Sequence, residues 1–499
     1  MSKDKNKGRN SGQPASPGRR QFITTVAAAA AGSLILPGCG RSDAPSTAAI
    51  LGAGLPDPAK SGIDHVVVVM MENRSFDHFL GWVPGADGVQ AGVRLKSPNG
   101  TVYQSRDLAP NYQNCNLADP DHSYEGGRTQ VNDGKMDGFL KTAPEGDDFP
   151  IGYYTADSLP FYKGCAENWT ICDRYFSGIL SLTTPNRIYM HAGQTDRGVN
   201  SVDISTLPTV WDRMQSVGES VKYFYTDVSY TSFWGDKYRS FSKKYEPLAF
   251  QDAIASGPLP GLMFIDNVGT TLNEGGAISY DDHPYSDIRN GQAFLDNVYN
   301  TLRKHPDWEK TLLIINYDEW GGFYDHVVPP FAPITPEEAA KTGNDGRLGG
   351  RVPCVLIGPR VKRGHVEHLQ FDPNSILNML AWRFGFEPLG ARISSNNIAL
   401  ALDFKNPADP STPDFNVPQG PFGGLCLPTA GIGHIIGVPL PGLPVPPIPL
   451  PIPVQTPPIP GLDVPIDLSP AAIAEILQRQ IEHFTELDAL RGLGKAFGF

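Results

Sequence analysis

The sequence predicts an α/β fold built on a mostly parallel central sheet. Three continuous apolar runs of strand length stand far apart in the chain, at residues 63–71, 311–317 and 352–358. Unbroken runs of this kind fit strands buried on both faces, as in a parallel sheet covered by helices. The stretch 291–303, just before the second run, carries Phe294, Leu295, Val298 and Leu302 at helical spacing. A helix followed by a buried strand is half of a βαβ unit.

The chain has 499 residues, 40% of them hydrophobic, enough for one large α/β domain or two smaller ones. With 19% charged residues, global disorder is excluded. A net charge of −12 argues against a nucleic-acid partner and against bulk attraction to anionic lipid. A zwitterionic or small phosphorylated substrate is compatible with it. Among the cysteines, Cys39 belongs to the leader, while Cys115, Cys165, Cys172, Cys354 and Cys426 follow it. Cys165 and Cys172 are close enough in sequence to bridge in an oxidising compartment. No Cys/His spacing resembles a structural zinc site.

Organisation along the chain is uneven. Residues 1–39 read as a twin-arginine export signal: Arg19-Arg20 precedes an apolar run from Thr25 to Leu36 that is too short to span a bilayer comfortably. Leu36-Pro37-Gly38-Cys39 resembles a lipoprotein cleavage box, which would place a lipid on Cys39 and associate the protein with a membrane. The expected location is periplasmic or extracellular. Residues 40–60 read as a linker and 61–415 as the main α/β domain. Residues 416–466 form a Gly/Pro-rich strap, and 467–499 an amphipathic helix. That helix starts at Ser469-Pro470, is apolar at Ile473, Ile476, Leu477, Ile481, Phe484 and Leu487, and ends at Gly492. The sequence sets no oligomeric state.

Two acidic clusters follow two of the buried runs: Glu72-Asn73 after the first and Asp318-Glu319 after the second. Ligands of open parallel sheets bind beyond the carboxyl ends of the strands, so the two clusters can converge. Carboxylate and amide oxygens suit a divalent cation.

The strings running from Met71 to Gly81 and from Tyr317 to Val327 resemble a bacterial phosphoesterase family. That family includes phosphatidylcholine-type phospholipases C and a class of acid phosphatases. The resemblance extends to Asp121-His122-Ser123-Tyr124-Glu125, Gly134-Lys135-Met136-Asp137-Gly138-Phe139, Thr183-Thr184-Pro185-Asn186-Arg187 and Asp281-Asp282-His283-Pro284. It implies a three-layer α/β/α sandwich of the alkaline-phosphatase-like type. It implies one divalent metal cation held by Glu72, Asn73, Thr183, Asp318 and Glu319. Thr183 would be the nucleophile, forming a phospho-threonine intermediate. His122 and His283, with His326 as a further candidate, would contact the phosphoryl group or serve the leaving group. Ser75, Ser181 and Thr184 are rival nucleophiles.

Three departures from the family pattern stand out: Trp320 in place of a frequent histidine, Asp372-Pro373-Asn374-Ser375 in place of D-H-T-S, and Ser181-Leu182 before the nucleophile. The expected reaction is head-group cleavage of phospholipids, with broad phosphomonoester hydrolysis as the alternative and an inactive tethered binding protein as the third reading. Tyr153, Tyr154, Trp169, Tyr223, Tyr225 and Trp234 are the aromatics available for a choline cage. The paired arginines give a direct test: Arg19→Lys with Arg20→Lys should trap precursor in the cytoplasm, and normal export of the double variant, followed by fractionation, would refute the signal.

Overall fold

The computed structural model describes residues 46–255, 257–267, 271–273, 276–423 and 470–499. The export signal, Cys39, Cys426 and residues 424–466 of the strap lie outside the described residues. The described residues form one compact unit.

The first apolar run forms β1, His65–Met71, and its interior valines are fully buried. Each such side chain contributes about 1.5–3 kcal/mol of hydrophobic stabilisation. The other strands of the sheet are β2 (Thr170–Cys172), β3 (Val221–Tyr225), β4 (Ser242–Lys244), β5 (Leu262–Asp266), β6 (Thr311–Tyr317), β7 (Cys354–Ile357) and β8 (His365–Glu367). Their order across the eight-stranded sheet is β8-β2-β7-β6-β1-β5-β3-β4. Strands β6, β1, β5, β3 and β4 pair in parallel. The register sets Met71 beside Tyr317 and Met70 beside Asp266. Three strands therefore end level on one edge.

The third apolar run departs from the parallel expectation. Strand β7 pairs antiparallel to both neighbours, with Cys354 opposite Asn316 and Ile357 opposite Leu313. After β6 the chain stays at the carboxyl edge and re-enters the sheet from there. A parallel strand would have required a crossover back to the far edge.

Helices fall into two packed sets. One comprises α1 (Pro160–Asn168), α4 (Phe250–Ile254) and α5 (Ile288–Leu302). The other comprises α2 (Thr183–Ala192), α3 (Val210–Ser216) and α6 (Pro373–Phe384). Two helical sets with a buried mostly parallel sheet between them give the α/β sandwich that the sequence predicts. The last helix, α7, spans Pro470–Ala496 and docks on this same unit: Arg479 donates to the carbonyls of Asp119 and Thr142, both at 2.9 Å.

Several boundaries differ from the sequence reading. The expected linker is partly docked: Thr47–Leu51 is helical, Leu51 is buried, and its carbonyl accepts from Asn397. Helix α7 runs through Gly492 because Arg491 anchors the last turns to Asp227 (2.7 Å), offsetting the roughly 1 kcal/mol that glycine costs in a helix. Of its expected apolar face, Leu487 is buried; the side chains of Ile473, Ile476, Leu477, Ile481 and Phe484 lie outside the described residues. Cys165 and Cys172 do not bridge. Both are buried free thiols, as is Cys354, whereas Cys115 is disulfide-bonded.

His191, on the last turn of α2, is buried among Trp211, Tyr223, Trp234 and Phe264. Burial first, then the nearby Arg187 charge, depresses its pKa to about 3. The unfolded chain therefore binds a proton below about pH 6.5 that the folded chain refuses, and stability falls as pH drops toward 3. His191→Phe should remove up to about 1.4 kcal/mol per pH unit of that acid-side slope. Urea unfolding of both proteins at several pH values between 3 and 7 checks it, and an unchanged slope would refute it.

Candidate active site

The site forms where β1, β5 and β6 end. Each strand runs straight into a carboxylate: Glu72 after Met71, Asp266 as the last residue of β5, and Asp318 after Tyr317. All three meet one guanidinium. Arg187 Nη2 lies 3.3 Å from Glu72 Oε1, Nη1 2.5 Å from Asp266 Oδ1 and Nε 3.2 Å from Asp318 Oδ2. Arg187 also donates to the Met71 carbonyl (3.2 Å), and its guanidinium lies over the Tyr230 ring. Every one of these groups is buried.

Asn73 turns the chain in the left-handed region, at φ 58°, and its N–H donates to Asp318 Oδ1 (3.2 Å). This close approach depends on Gly321, also at positive φ, where any Cβ would run into the Asn73 carbonyl. Thr183 opens α2, and its Oγ1 lies 3.5 Å from Asn73 Oδ1. Thr183 and Arg187 are four residues apart, so one helix face presents both the hydroxyl and the clamp. The amino-terminal end of α2 also offers positive potential to an anion.

His122 and His283 stand in the same cavity as Glu72 and Thr183. His122 Nδ1 donates to the Pro120 carbonyl (2.7 Å), and His283 Nδ1 to the Pro284 carbonyl. Each ring therefore turns Nε2 inward. His122 Nε2 lies 3.4 Å from Asn73 Nδ2 and 3.8 Å from Glu319 Oε1; His283 Nε2 lies 3.8 Å from Asp119 Oδ2. Burial disfavours the His122 imidazolium, but Glu319 and Asp119 outweigh it and raise its pKa to about 9. Burial lifts Asp119 to about 6 against the pull of His122.

Residues 63–387 match the model of the phosphoesterase family. The chain belongs to that family. It is 31% identical over 352 residues to non-specific phospholipase C3 of Arabidopsis thaliana, covering 63% of this chain and 66% of the relative. It thus spans just under two thirds of that plant protein's length. It is 28% identical over 498 residues to phospholipase C B of Mycobacterium tuberculosis, covering 85% of this chain and 93% of the relative. A weaker structural likeness, at 10% identity and TM-score 0.37, reaches the phosphonate monoester hydrolase of Agrobacterium radiobacter over 69% of this chain and 78% of that one.

In this member of the phosphoesterase family, His326 stands apart from the other sequence-identified residues. Its ring pairs with Asp77 (2.7 Å) and Asp87 (3.1 Å), beside an Arg351 guanidinium that binds Asp77 and Asp325. Of the rival nucleophiles, Ser75 caps the helix Phe76–Leu80 and donates to the Tyr324 carbonyl. Ser181 donates to the Gly198 carbonyl (2.6 Å). Thr184 lines the cavity beside Thr183. The aromatics available for a choline cage do not line the cavity: Tyr154, Trp169, Tyr223, Tyr225 and Trp234 are buried elsewhere, and Tyr153 is likewise not part of it, whereas Tyr230 is. Trp320 packs against Gly127 and Gly350 and donates to Gln130 Oε1 (2.8 Å). Pro373 opens α6 behind the Asp372–Ser375 capping box.

The sequence reading gives no role to Arg187 or Asp266, which the fold places at the centre of the site. Asp266 carries the same signal as the other two carboxylates, an acid closing an apolar run. Arg187 lay inside a recognised motif. Glu72, Asp266, Asp318 and Glu319 together offer four buried carboxylates against this one guanidinium. Burial raises Glu72 well above the usual carboxylate range and lifts Glu319 to about 8. Glu319 Oε1 is buried and lacks a hydrogen-bond partner. An oxygen-rich set with an unpartnered carboxylate oxygen fits a hard divalent cation. Arg187→Met should destabilise the metal-free protein by about 3–5 kcal/mol, because buried carboxylates lose their partner. Adding Asp266→Asn should restore part of the loss; a double-mutant cycle by chemical unfolding that shows strict additivity would refute the coupling.

Proposed function

We propose that this chain is a metal-dependent phospholipase C that cleaves phospholipid head groups through a phospho-threonine intermediate. The observation that carries the reading is the Thr183 hydroxyl beside Asn73, at a helix amino terminus, in one cavity with Glu72, His122 and His283.

Glu72, Asn73, Thr183, Asp318 and Glu319 would hold one divalent cation, which when bound favours the threonine alkoxide and neutralises phosphoryl charge. Thr183 Oγ attacks phosphorus as the bond to the diacylglycerol oxygen breaks. His122 or His283, protonated, gives its Nε2 proton to the departing alkoxide. The same imidazole then takes a proton from water, which attacks phosphorus and frees the phosphorylated head group as the bond to Thr183 Oγ breaks, returning the imidazolium and the threonine alkoxide to their starting states. Phosphoryl transfer asks the protein mainly for positioning and charge neutralisation. The capped Nδ1 atoms supply positioning by fixing both rings.

Leu182, Leu487 and Leu490 line the cavity together with acidic Asp119, Asp121, Glu482 and Glu486. An apolar wall suits a lipid leaving group, and the acidic side chains disfavour a phosphomonoester dianion, which makes broad phosphatase action the weaker reading. Glu72, His122, Thr183 and His283 line one cavity, which supports an active enzyme over the inactive binding protein that Trp320 and Pro373 suggest. Export by the twin-arginine route, with a lipid on Cys39, belongs to the same proposal. Among the described residues no helix is long and apolar enough to cross a membrane.

Thr183→Ala should lower turnover of phosphatidylcholine by several orders of magnitude, since misplacing an attacking group by about 1 Å already costs about a hundredfold. Thr183→Ser should keep partial activity. Rapid quenching of wild type should trap phosphate on Thr183, read by peptide mass. Phosphate on Thr184, near-native turnover of the alanine variant, or faster hydrolysis of a phosphomonoester than of phosphatidylcholine would overturn the reading.

A further inference from the structure

Nine large hydrophobic residues are exposed among the described residues, and three of them fall within six positions: Val199 (54%), Val202 (42%) and Ile204 (46%). They share a loop with Asn200, which lines the catalytic cavity. The Asn200 side chain accepts from the Thr184 N–H (2.9 Å) and donates to Glu486 on α7 (2.9 Å). The loop therefore forms part of the cavity rim, fastened both to the start of the nucleophile helix and to the last helix.

The loop is braced from within. Arg197 donates to the carbonyl and hydroxyl of Ser201 (3.0 and 3.1 Å), and its guanidinium lies over Phe233. The Ser201 hydroxyl donates to Asp203 Oδ2 (3.0 Å), and Ser205 N–H donates to the Phe233 carbonyl (2.7 Å). These bonds tie down the loop, while three branched apolar side chains are held in water. A loop can hide such residues by folding them inward; this one is tied so that it does not.

We propose that the loop 198–204 is an interfacial docking element that inserts Val199, Val202 and Ile204 into the surface of a phospholipid bilayer. The inference rests on the phospholipase C reading, because a scissile phosphate lying in a bilayer must be brought to the cavity mouth. The chain's net charge of −12 makes apolar insertion, not attraction to anionic lipid, the fitting mode. The occupant is argued from place: the apolar residues flank the residue that lines the cavity.

The test compares the full chain with its Val199→Ser/Val202→Ser/Ile204→Ser variant. Co-sedimentation with neutral phosphatidylcholine vesicles should weaken about tenfold or more, since each side chain lost from the apolar phase weakens partitioning. Vesicle hydrolysis should fall in parallel, while turnover of water-soluble p-nitrophenyl phosphorylcholine stays within about twofold, a margin of roughly 0.4 kcal/mol. Val199→Trp should strengthen vesicle binding. Unchanged vesicle binding by the triple variant overturns the proposal. So does an equal loss on the soluble substrate, or a change in oligomeric state by light scattering without a change in vesicle binding. Vesicle binding is read without turnover, so a protein that binds vesicles through the loop but hydrolyses no phospholipid would overturn the phospholipase reading and leave the docking element standing.

Discussion

One guanidinium organises this molecule. Arg187 is fully buried and touches carboxylates delivered by three neighbouring strands. Each carboxylate alone would resist ionising in such a place, since burial is the largest influence on every one of them. Their shared partner lets the three strand ends crowd together at one edge of the sheet. The carboxyl groups still outnumber the one guanidinium they share, which leaves oxygens to offer a hard cation.

The clamp also sets where chemistry can occur. Arg187 sits one helical turn beyond Thr183, so locking the guanidinium against the strand ends fixes the hydroxyl in space. Asn73 completes the link: its backbone binds Asp318, and its side chain lies between Thr183 and His122. A helix, two strand ends and a histidine loop are thereby joined through short polar contacts. Gly321 permits the approach by having no side chain at the one point where a Cβ would collide.

Around this centre, the fold divides its histidines by environment. His122 and His283 have Nδ1 tied to backbone carbonyls and Nε2 turned toward the cavity. His326 belongs to an ion network with Asp77, Asp87 and Arg351 that joins distant loops. His78 is kept neutral, first by burial and then by Arg74. Trp320, which interrupts the family pattern, fills space against two glycines and ties down Gln130.

Strand β1, strand β6, helix α5 and the convergence of Glu72-Asn73 with Asp318-Glu319 were legible in the sequence. Continuous apolar runs and acids at their ends are local signals, and a parallel sheet brings such ends to one edge. The motif resemblance named Thr183, His122 and His283, which the fold gathers in one cavity. The direction of β7 was not legible, because a short apolar run reads the same in either direction. Asp266 and Arg187 took their roles only when three strands and a helix were packed, since a clamp is defined by distances between residues up to 131 positions apart. The rim formed by α7 and by the loop carrying Asn200 was likewise decided by tertiary structure. The sequence by itself determined which segments are buried strands and which residue types stand at their ends, for hydrophobic patterning is written residue by residue. Tertiary structure decided which charges share a partner, for burial and Coulomb energy depend on where the whole chain brings them together.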